Sequence, residues 1–450
     1  MATQKQLPKV LRFFDVSVLS SASMGPAYSL AATMGPMVAA AGNATPGALI
    51  ALSAIMLCIA FGFAHLSRIS PSAGSSYTWI RTAFGSWAGA YGAWLLLISN
   101  FFATMAIALP AGIYTLDLFA PNLARNPLDD AIVGAIWILG STALLYIGIR
   151  PTALVTALAL LFELGVLSVT AIVAGFVSPA HVSLGATAHV PAAGVAGITL
   201  FGFFNAMTLG IWMSDGWEVS ASASEEVRDD RRAAGRGGIT GLILTTAVLV
   251  LCMAGYLRAG TVAGFAANQA DAMRYVADVL GGGAWRYVIV ATVLISTCAS
   301  LWTTILYLSR SVFAMGRDGV LPRALGRLDG RAEPFWSLAS IAVVATVFEL
   351  LTGLSASAAG ALNAVINASS VFLGLLFIFS AASAAQTFRR RAGERFAGAL
   401  VPLVGAVTLL GVVVVTILLE DRVLQYYALA GIGLGVPFTL WRGRVRPAAA

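Results

Sequence analysis

Apolar runs of membrane-crossing length recur along the whole chain and dictate its class before any motif is read. They fall at about 16–41, 47–65, 86–118, 131–149, 151–177, 195–220, 238–257, 286–314, 335–352, 361–384, 396–418 and 425–440. A hydrocarbon core about 30 Å thick takes about 20 residues of helix. Backbone groups in lipid must be bonded within a helix or around a closed barrel, and the alternating pattern of barrel strands is not seen here. An all-α polytopic membrane protein with twelve transmembrane helices is therefore predicted, the third and eighth runs being long enough to tilt. Composition agrees: of 450 residues, 59% are hydrophobic and 10% charged, against about 25% charged in soluble domains.

The net charge of +7 does not point to nucleic acid, because the basic residues are scattered through short loops and form no patch or recognition motif. Their placement speaks to topology instead. With the N-terminus in the cytoplasm, of the 27 Lys and Arg only Arg125, Arg258, Arg274, Arg286 and Arg422 fall outside. Both termini are therefore expected to be cytoplasmic. The first run lacks a small-residue cleavage site and is read as a retained helix. Cys58, Cys252 and Cys298 lie in apolar runs, and His65, His181 and His189 show no ligand spacing, so neither a disulfide framework nor a metal site is expected.

Two runs contain breaks. Ser214-Asp215-Gly216 interrupts the sixth before Trp217-Glu218 resumes it, and Gly25-Pro26, after Ser23-Met24, interrupts the first. A carboxylate beside a glycine at mid-membrane is costly and points to function. Proline removes a backbone donor, and glycine tolerates the geometry that results. Either break alone reads as a kink. Breaks at corresponding positions of two halves point to a solute site between inverted repeats. The repeats would run about 16–177 and 195–384, with added helices about 396–440, in a single transmembrane domain spanning 1–450. Amide donors freed in the first span suit a carboxylate, and carbonyls freed in the sixth suit an ammonium, so the pair suits a zwitterion.

Other polar residues in the runs carry two readings each. Glu163 lies near mid-depth of the fifth run. An ionised carboxylate there costs several kcal/mol, so Glu163 either carries a coupled proton or makes one structural bond between helices. Ser296, Thr297, Ser300, Thr303 and Thr304 in the eighth run either contribute to a sodium site or satisfy helix carbonyls. Asn363 and Asn367, four apart in the tenth, line a cavity or join helices. Residues 68–85 read as a connector or a short cytoplasmic helix that moves with gating. Phe265 to Leu280 reads as an outer surface helix with Ala272, Val276 and Leu280 on one face. The Gly- and Pro-containing stretch 178–193 carries no ligand pattern.

Three motifs carry a family likeness. They are Ser309-Arg310 through Met315, Arg317-Asp318-Gly319 and Leu321-Pro322; Gly216-Trp217-Glu218 with Ser224-Glu225-Glu226; and Pro71-Ser72-Ala73-Gly74 with Tyr77. In this order they resemble the amino acid/polyamine/organocation permease superfamily over nearly the whole chain. The form of the first break, Met24-Gly25-Pro26-Ala27-Tyr28-Ser29, is similar to a bacterial branch of mostly unassigned substrate. The resemblance implies a five-plus-five inverted repeat with two added helices, alternating access, discontinuous first and sixth helices, and a bacterial inner-membrane location. It implies a solute site at Ser23, Met24, Gly25, Pro26, Trp212, Ser214, Asp215, Gly216, Trp217 and Asn367, with Trp212 or Trp217 as aromatic gate. It also implies a cytoplasmic gating motif at Arg310, Arg317 and Asp318. The fifth-span lysine of some proton-coupled relatives has no counterpart here, which makes Glu163, with Asp215 and Glu218, the proton-coupling candidates.

The expected function is secondary active transport of a neutral or cationic amino acid by proton symport, Asp215 favouring positive charge on the solute. The alternative is amino acid/amine exchange, or uptake of an amine such as a polyamine. Protons are the expected coupling ion and sodium the lesser candidate. No cofactor, metal or nucleic-acid partner is expected, and monomer and homodimer stay open. No nucleophile–base pair or cofactor loop suggests an enzyme.

Overall fold

The structure, a computed structural model, describes residues 7–124, 126–177, 199–228, 230–269, 271–419 and 422–444. Among these residues the regular secondary structure is helical apart from one isolated bridge between Leu11 and Val227. In order the helices are α1 Phe13–Ser23, α2 Pro26–Ala41, α3 Thr45–Ile69, α4 Ser75–Phe84, α5 Ser86–Phe119, α6 Pro127–Ile147, α7 Ile149–Val177, α8 Leu200–Met213 and α9 Val219–Ser222. There follow α10 Ala233–Ala259, α11 Val262–Ala267, α12 Ala272–Val279, α13 Gly283–Arg317, α14 Phe335–Thr352, α15 Ala358–Phe388, α16 Val401–Leu419 and α17 Arg422–Arg442.

Nine helical runs among the described residues are long and apolar enough to cross a membrane, which makes the chain a polytopic membrane protein. The first, Phe13–Ile69, is bent and holds two of the runs read from sequence. Gly25 divides it at φ +51°, ψ +65°, a left-handed conformation that glycine alone adopts without strain, and Pro26 starts α2 where no amide is needed. Gly42 divides it again before the turn that leads into α3. The sixth run appears as α8, 14 residues long, ending at the second break. The twelfth is α17, outside the nine.

Burial separates inner from outer helices. The most apolar windows of α5, α13 and α15 are 72%, 78% and 72% buried, against 33% for α14 and 39% for α6. The inner three carry polar residues to the centre, while outer ones turn Leu154, Leu161, Phe176, Val343 and Leu418 outward, where lipid would cover them. Close approach relies on small residues: a Cβ at Gly255 would stand 2.5 Å from the Ala171 carbonyl, so α10 and α7 meet backbone to backbone.

Residues 75–84 do form the short helix, burying Tyr77, Trp79 and Ile80. The stretch 265–280 differs from the single helix expected. It divides at Asn268–Asp271, where the Asp271 side chain caps α12 by accepting the Arg274 amide at 3.0 Å, and α12 buries Met273 and Ala277 beside Ala272 and Val276. An aspartate able to cap outcompetes helix continuation at that point. The stretch 178–193, with His181 and His189, lies outside the described residues.

Candidate functional site

The two breaks meet in the interior. Gly216 has φ +110°, and a Cβ there would stand 2.6 Å from the Ser23 carbonyl carbon and 2.7 Å from its hydroxyl. One turn below, the Ser20 hydroxyl donates to the Trp217 carbonyl at 2.8 Å. A glycine is required at 216 on both counts, backbone angle and space. Ser23 thus lies against Gly216, and Ser23, Met24, Ser214 and Trp212 are all buried, at 6%, 2%, 0% and 5% exposed.

The start of α2 is held by side chains of other helices. Its first residue, Pro26, has no amide; the second, Ala27, donates to Glu163 Oε2 at 3.4 Å, and the third, Tyr28, to the Ser296 hydroxyl at 3.2 Å. Glu163, on α7, is fully buried, and its other oxygen has no partner. Across the break, the Ser300 hydroxyl donates to the Ser23 carbonyl at 2.8 Å. Among the hydroxyls of α13, Thr297 and Thr303 bond their own helix, to Val293 and Ala299. The Tyr28 hydroxyl crosses to the Ala106 carbonyl of α5.

Beyond Gly216, Glu218 turns back to accept the Gly216 amide at 3.0 Å, so its carboxyl faces that of Asp215. Asp215 is half-buried, with one oxygen unpartnered. The aromatic residues diverge. Trp212 meets Tyr28 edge to face at 5.2 Å, beside the break, whereas Trp217 packs into Phe63 at 4.9 Å and Phe377 at 5.7 Å, away from it. Of the two tryptophans, Trp212 has its ring beside the first break and Trp217 has its ring turned away. Asn367 is half-buried on α15; the side chain of Asn363 lies outside the described residues.

The three family motifs converge on one network at the end of the bundle that holds the chain's N-terminal segment. Arg310, fully buried on α13, donates through Nε and Nη2 to both oxygens of Glu226, at 3.0 and 3.1 Å, and to Glu333 at 3.2 Å. Arg317 grips both oxygens of Glu225, at 3.0 and 2.8 Å, and Glu225 also accepts the Ala73 amide at 2.9 Å. Ser224 accepts the Ser72 amide at 2.9 Å. Asp318 takes Arg81 at 3.1 Å and the Tyr77 hydroxyl at 3.0 Å. The Val10 and Leu11 amides donate to the Glu226 carbonyl, tying the N-terminal segment to the same point. Burial, with Arg310 opposing it and Glu226 adding to it, raises Glu333 from the usual carboxylate range to about 6.

Two buried carboxyls outside all these motifs were not anticipated. Glu349 on α14 is fully buried with neither oxygen bonded, beside Asp130 of α6 and Tyr28. Its signal was available, a carboxylate inside an apolar run, but it sits near the run's end, where such residues commonly reach water.

Comparison with known proteins fits this geometry. The chain matches the amino acid permease family over residues 11–435. An uncharacterized transporter of Mycobacterium tuberculosis is 28% identical over 384 residues, covering 82% of this chain and 81% of the relative. The branched-chain amino acid permease of Lactococcus lactis subsp. cremoris is 27% identical over 313 residues, covering 64% of this chain and 65% of the relative. The crystal structure of a manganese transporter from Eremococcus coleocola, in complex with an aromatic bis-isothiourea substituted compound, superposes with TM-score 0.61 over 98% of both chains at 16% identity. That last likeness is one of fold.

Proposed function

Because the chain belongs to the amino acid permease family, we propose that it takes up a neutral or cationic amino acid across the bacterial cell membrane, by alternating access and coupled to proton entry. As a member of that family it is a membrane-embedded secondary transporter, and the family is not one of enzymes. The finer architecture of this reading is twelve spans, in five-span repeats about 16–177 and 195–384 with added helices about 396–440, and both termini cytoplasmic. Alternating access would then rock one group of helices about a fixed central site.

The observation that carries the proposal is the contact of Gly216 with Ser23, which brings two half-helix ends together. The ammonium of the solute is assigned to Asp215, Glu218 and the carbonyls beside the break, and its carboxylate to the start of α2, where amides and the helix dipole favour an anion. Trp212 against Tyr28 would close the outer side. The salt-bridge network of Arg310, Arg317 and Asp318 would close the inner side and part when the site opens inward. Glu163, Asp215 and Glu218 are the groups assigned to carry the coupled proton. The name of the Lactococcus relative supports a neutral amino acid. The two facing carboxyls Asp215 and Glu218 favour a second reading, exchange of an amino acid for an amine or uptake of an amine.

Uptake of a radiolabelled amino acid and diamine panel into proteoliposomes separates the readings. Accumulation that disappears when an inward proton gradient is collapsed is the expected result. Uptake that ignores the gradient and requires an internal counter-solute would replace symport with exchange.

A further inference from the structure

The start of α2 is already occupied by a carboxylate belonging to the protein. Pro26 supplies no donor, and the Ser29 amide is used by the Gly25 carbonyl at 2.7 Å. The donors left to face the break are the Ala27 and Tyr28 amides, and these are the ones taken by Glu163 and Ser296. Glu163 reaches the Ala27 amide from 136 residues away and is fully buried, with Oε1 unpartnered and Oε2 on the helix end. A carboxylate at a helix N-terminus is the arrangement a bound amino acid would itself make there. The protein's own side chain and the carboxylate of a solute cannot both hold that position.

We infer that Glu163 is a tethered competitor for the solute's carboxylate: it fills the seat when the site is empty and gives it up when it takes a proton. This rests on the amino acid reading above and adds to it a means of coupling. A neutral carboxylic acid is a poor acceptor for the Ala27 amide and gains little from the dipole, so protonation frees the seat. Conversely, an incoming carboxylate displaces Glu163 into an apolar interior, where it is held only as the neutral acid. One proton is then bound for each amino acid bound.

The surroundings leave Glu163 free to act in this way. On α13 it faces the Ser296 hydroxyl and on α2 the Ala27 amide, and no charged group stands against it among the described residues. On α10 Cys252 and Tyr256 are both turned to the Leu167 carbonyl one turn further along α7, Arg258 donates to the Gly175 carbonyl about three turns further along, and Arg236 stands at the far end of α10 beside Asp230. Tyr28 of α2 is turned away, to Ala106. Asp215 and Glu218 face each other across Gly216. Among the described residues no cation stands against Glu163 to hold it ionised once it leaves the helix end.

The test uses full-length protein in nanodiscs, with L-leucine and L-lysine as probes beside their decarboxylated amines, isoamylamine and cadaverine. Linkage of one proton makes amino acid affinity rise by about tenfold per pH unit lowered, over the range in which Glu163 titrates. Glu163→Gln, which leaves the seat without a charge to displace, is expected to bind the amino acid with affinity that changes less than about twofold over the same range. Binding of the amines, which have no carboxylate, is expected to be equally insensitive to the substitution. Persistence of the wild-type pH dependence in Glu163→Gln overturns the inference.

A second readout needs no substrate. In Glu163→Ala the vacated seat is open to a small carboxylate, so acetate is expected to raise the melting temperature of the variant above that in chloride at equal ionic strength, and to leave wild type unchanged. Absence of that rescue counts against the inference. If acetate rescues the variant but no amino acid binds wild type, the tethered carboxylate stands and the amino acid reading falls.

Discussion

Arg310→Ala is the substitution whose cost the structure makes most explicit. The guanidinium is 0% exposed and neutralises Glu226, itself 0% exposed, through two bonds and Glu333, 4% exposed, through a third. Removing the cation strands two buried carboxyls, and breaking a buried pair in this way costs about 3–5 kcal/mol, mostly as the penalty on the partner left behind. With an unfolding entropy of about 2.1 cal/mol/K per residue over a chain of this size, the loss corresponds to roughly 3–5 °C in melting temperature. Thermal unfolding in detergent measures it. The argument also requires that neutralising the stranded partners restore what was lost, so Arg310→Ala with Glu226→Gln and Glu333→Gln is expected to recover at least half of the decrease. A single substitution that melts with wild type, or a triple variant no better than the single, refutes the reasoning. A Ser72→Cys reporter, buried behind the network at 4% exposure, is expected to react faster with a thiol reagent in the Arg310→Ala background.

Other outcomes follow from the same contacts. Gly216→Ala must strain a positive φ, by roughly 1–2 kcal/mol, and move the Ser23 backbone, by a further cost of about 1–3 kcal/mol; the variant is expected to fold with a lowered melting temperature and to lose transport, and full transport would mean the two breaks need not touch. Glu333, held at about 6 when folded, binds its proton more tightly in the folded state than in the unfolded chain, so its contribution is greatest at low pH and is lost as pH rises through about 6. The melting-temperature advantage of wild type over Glu333→Gln is therefore expected to be larger at about pH 5 than at about pH 7, and an advantage independent of pH would contradict this. Asp215→Asn is expected to reduce discrimination in favour of cationic over neutral solutes by at least about tenfold, or about 1.4 kcal/mol; unchanged relative uptake of lysine and leucine would remove Asp215 from selectivity.

What could be read from sequence was whatever interrupts an apolar run. Gly25-Pro26 and Asp215-Gly216 stand out because a membrane span tolerates such residues at a cost, and the structure has breaks at both. The charged motifs between the spans could be read singly. That Ser72, Ala73, Glu225, Glu226, Arg310 and Arg317 form one network depends on tertiary contacts between residues up to 152 positions apart, which no local pattern encodes. The same is true of Glu163 at the start of α2: its depth was readable, its partner was not. Trp217 shows a different limit. A glycine at φ +110° resets the phase of the following helix, so the face on which Trp217 emerges, against Phe63 and Phe377, could not be counted forward from Trp212. Glu349 and Asp130 were masked by their nearness to helix ends, where burial depends on the neighbouring helices.

The central claim is that a small amino acid is held where the two breaks meet, and a structure of the full-length protein with the amino acid identified by uptake tests it most directly. The account predicts the solute between Ser23–Ala27 and Ser214–Glu218, its ammonium toward Asp215 or Glu218, its carboxylate on the Ala27 amide, and Glu163 drawn back from that position. Solute bound elsewhere, as in the cavity of about 360 Å³ lined by Asp117, Arg274, Arg286 and Tyr287, with the breaks packed as they are in its absence, would contradict it.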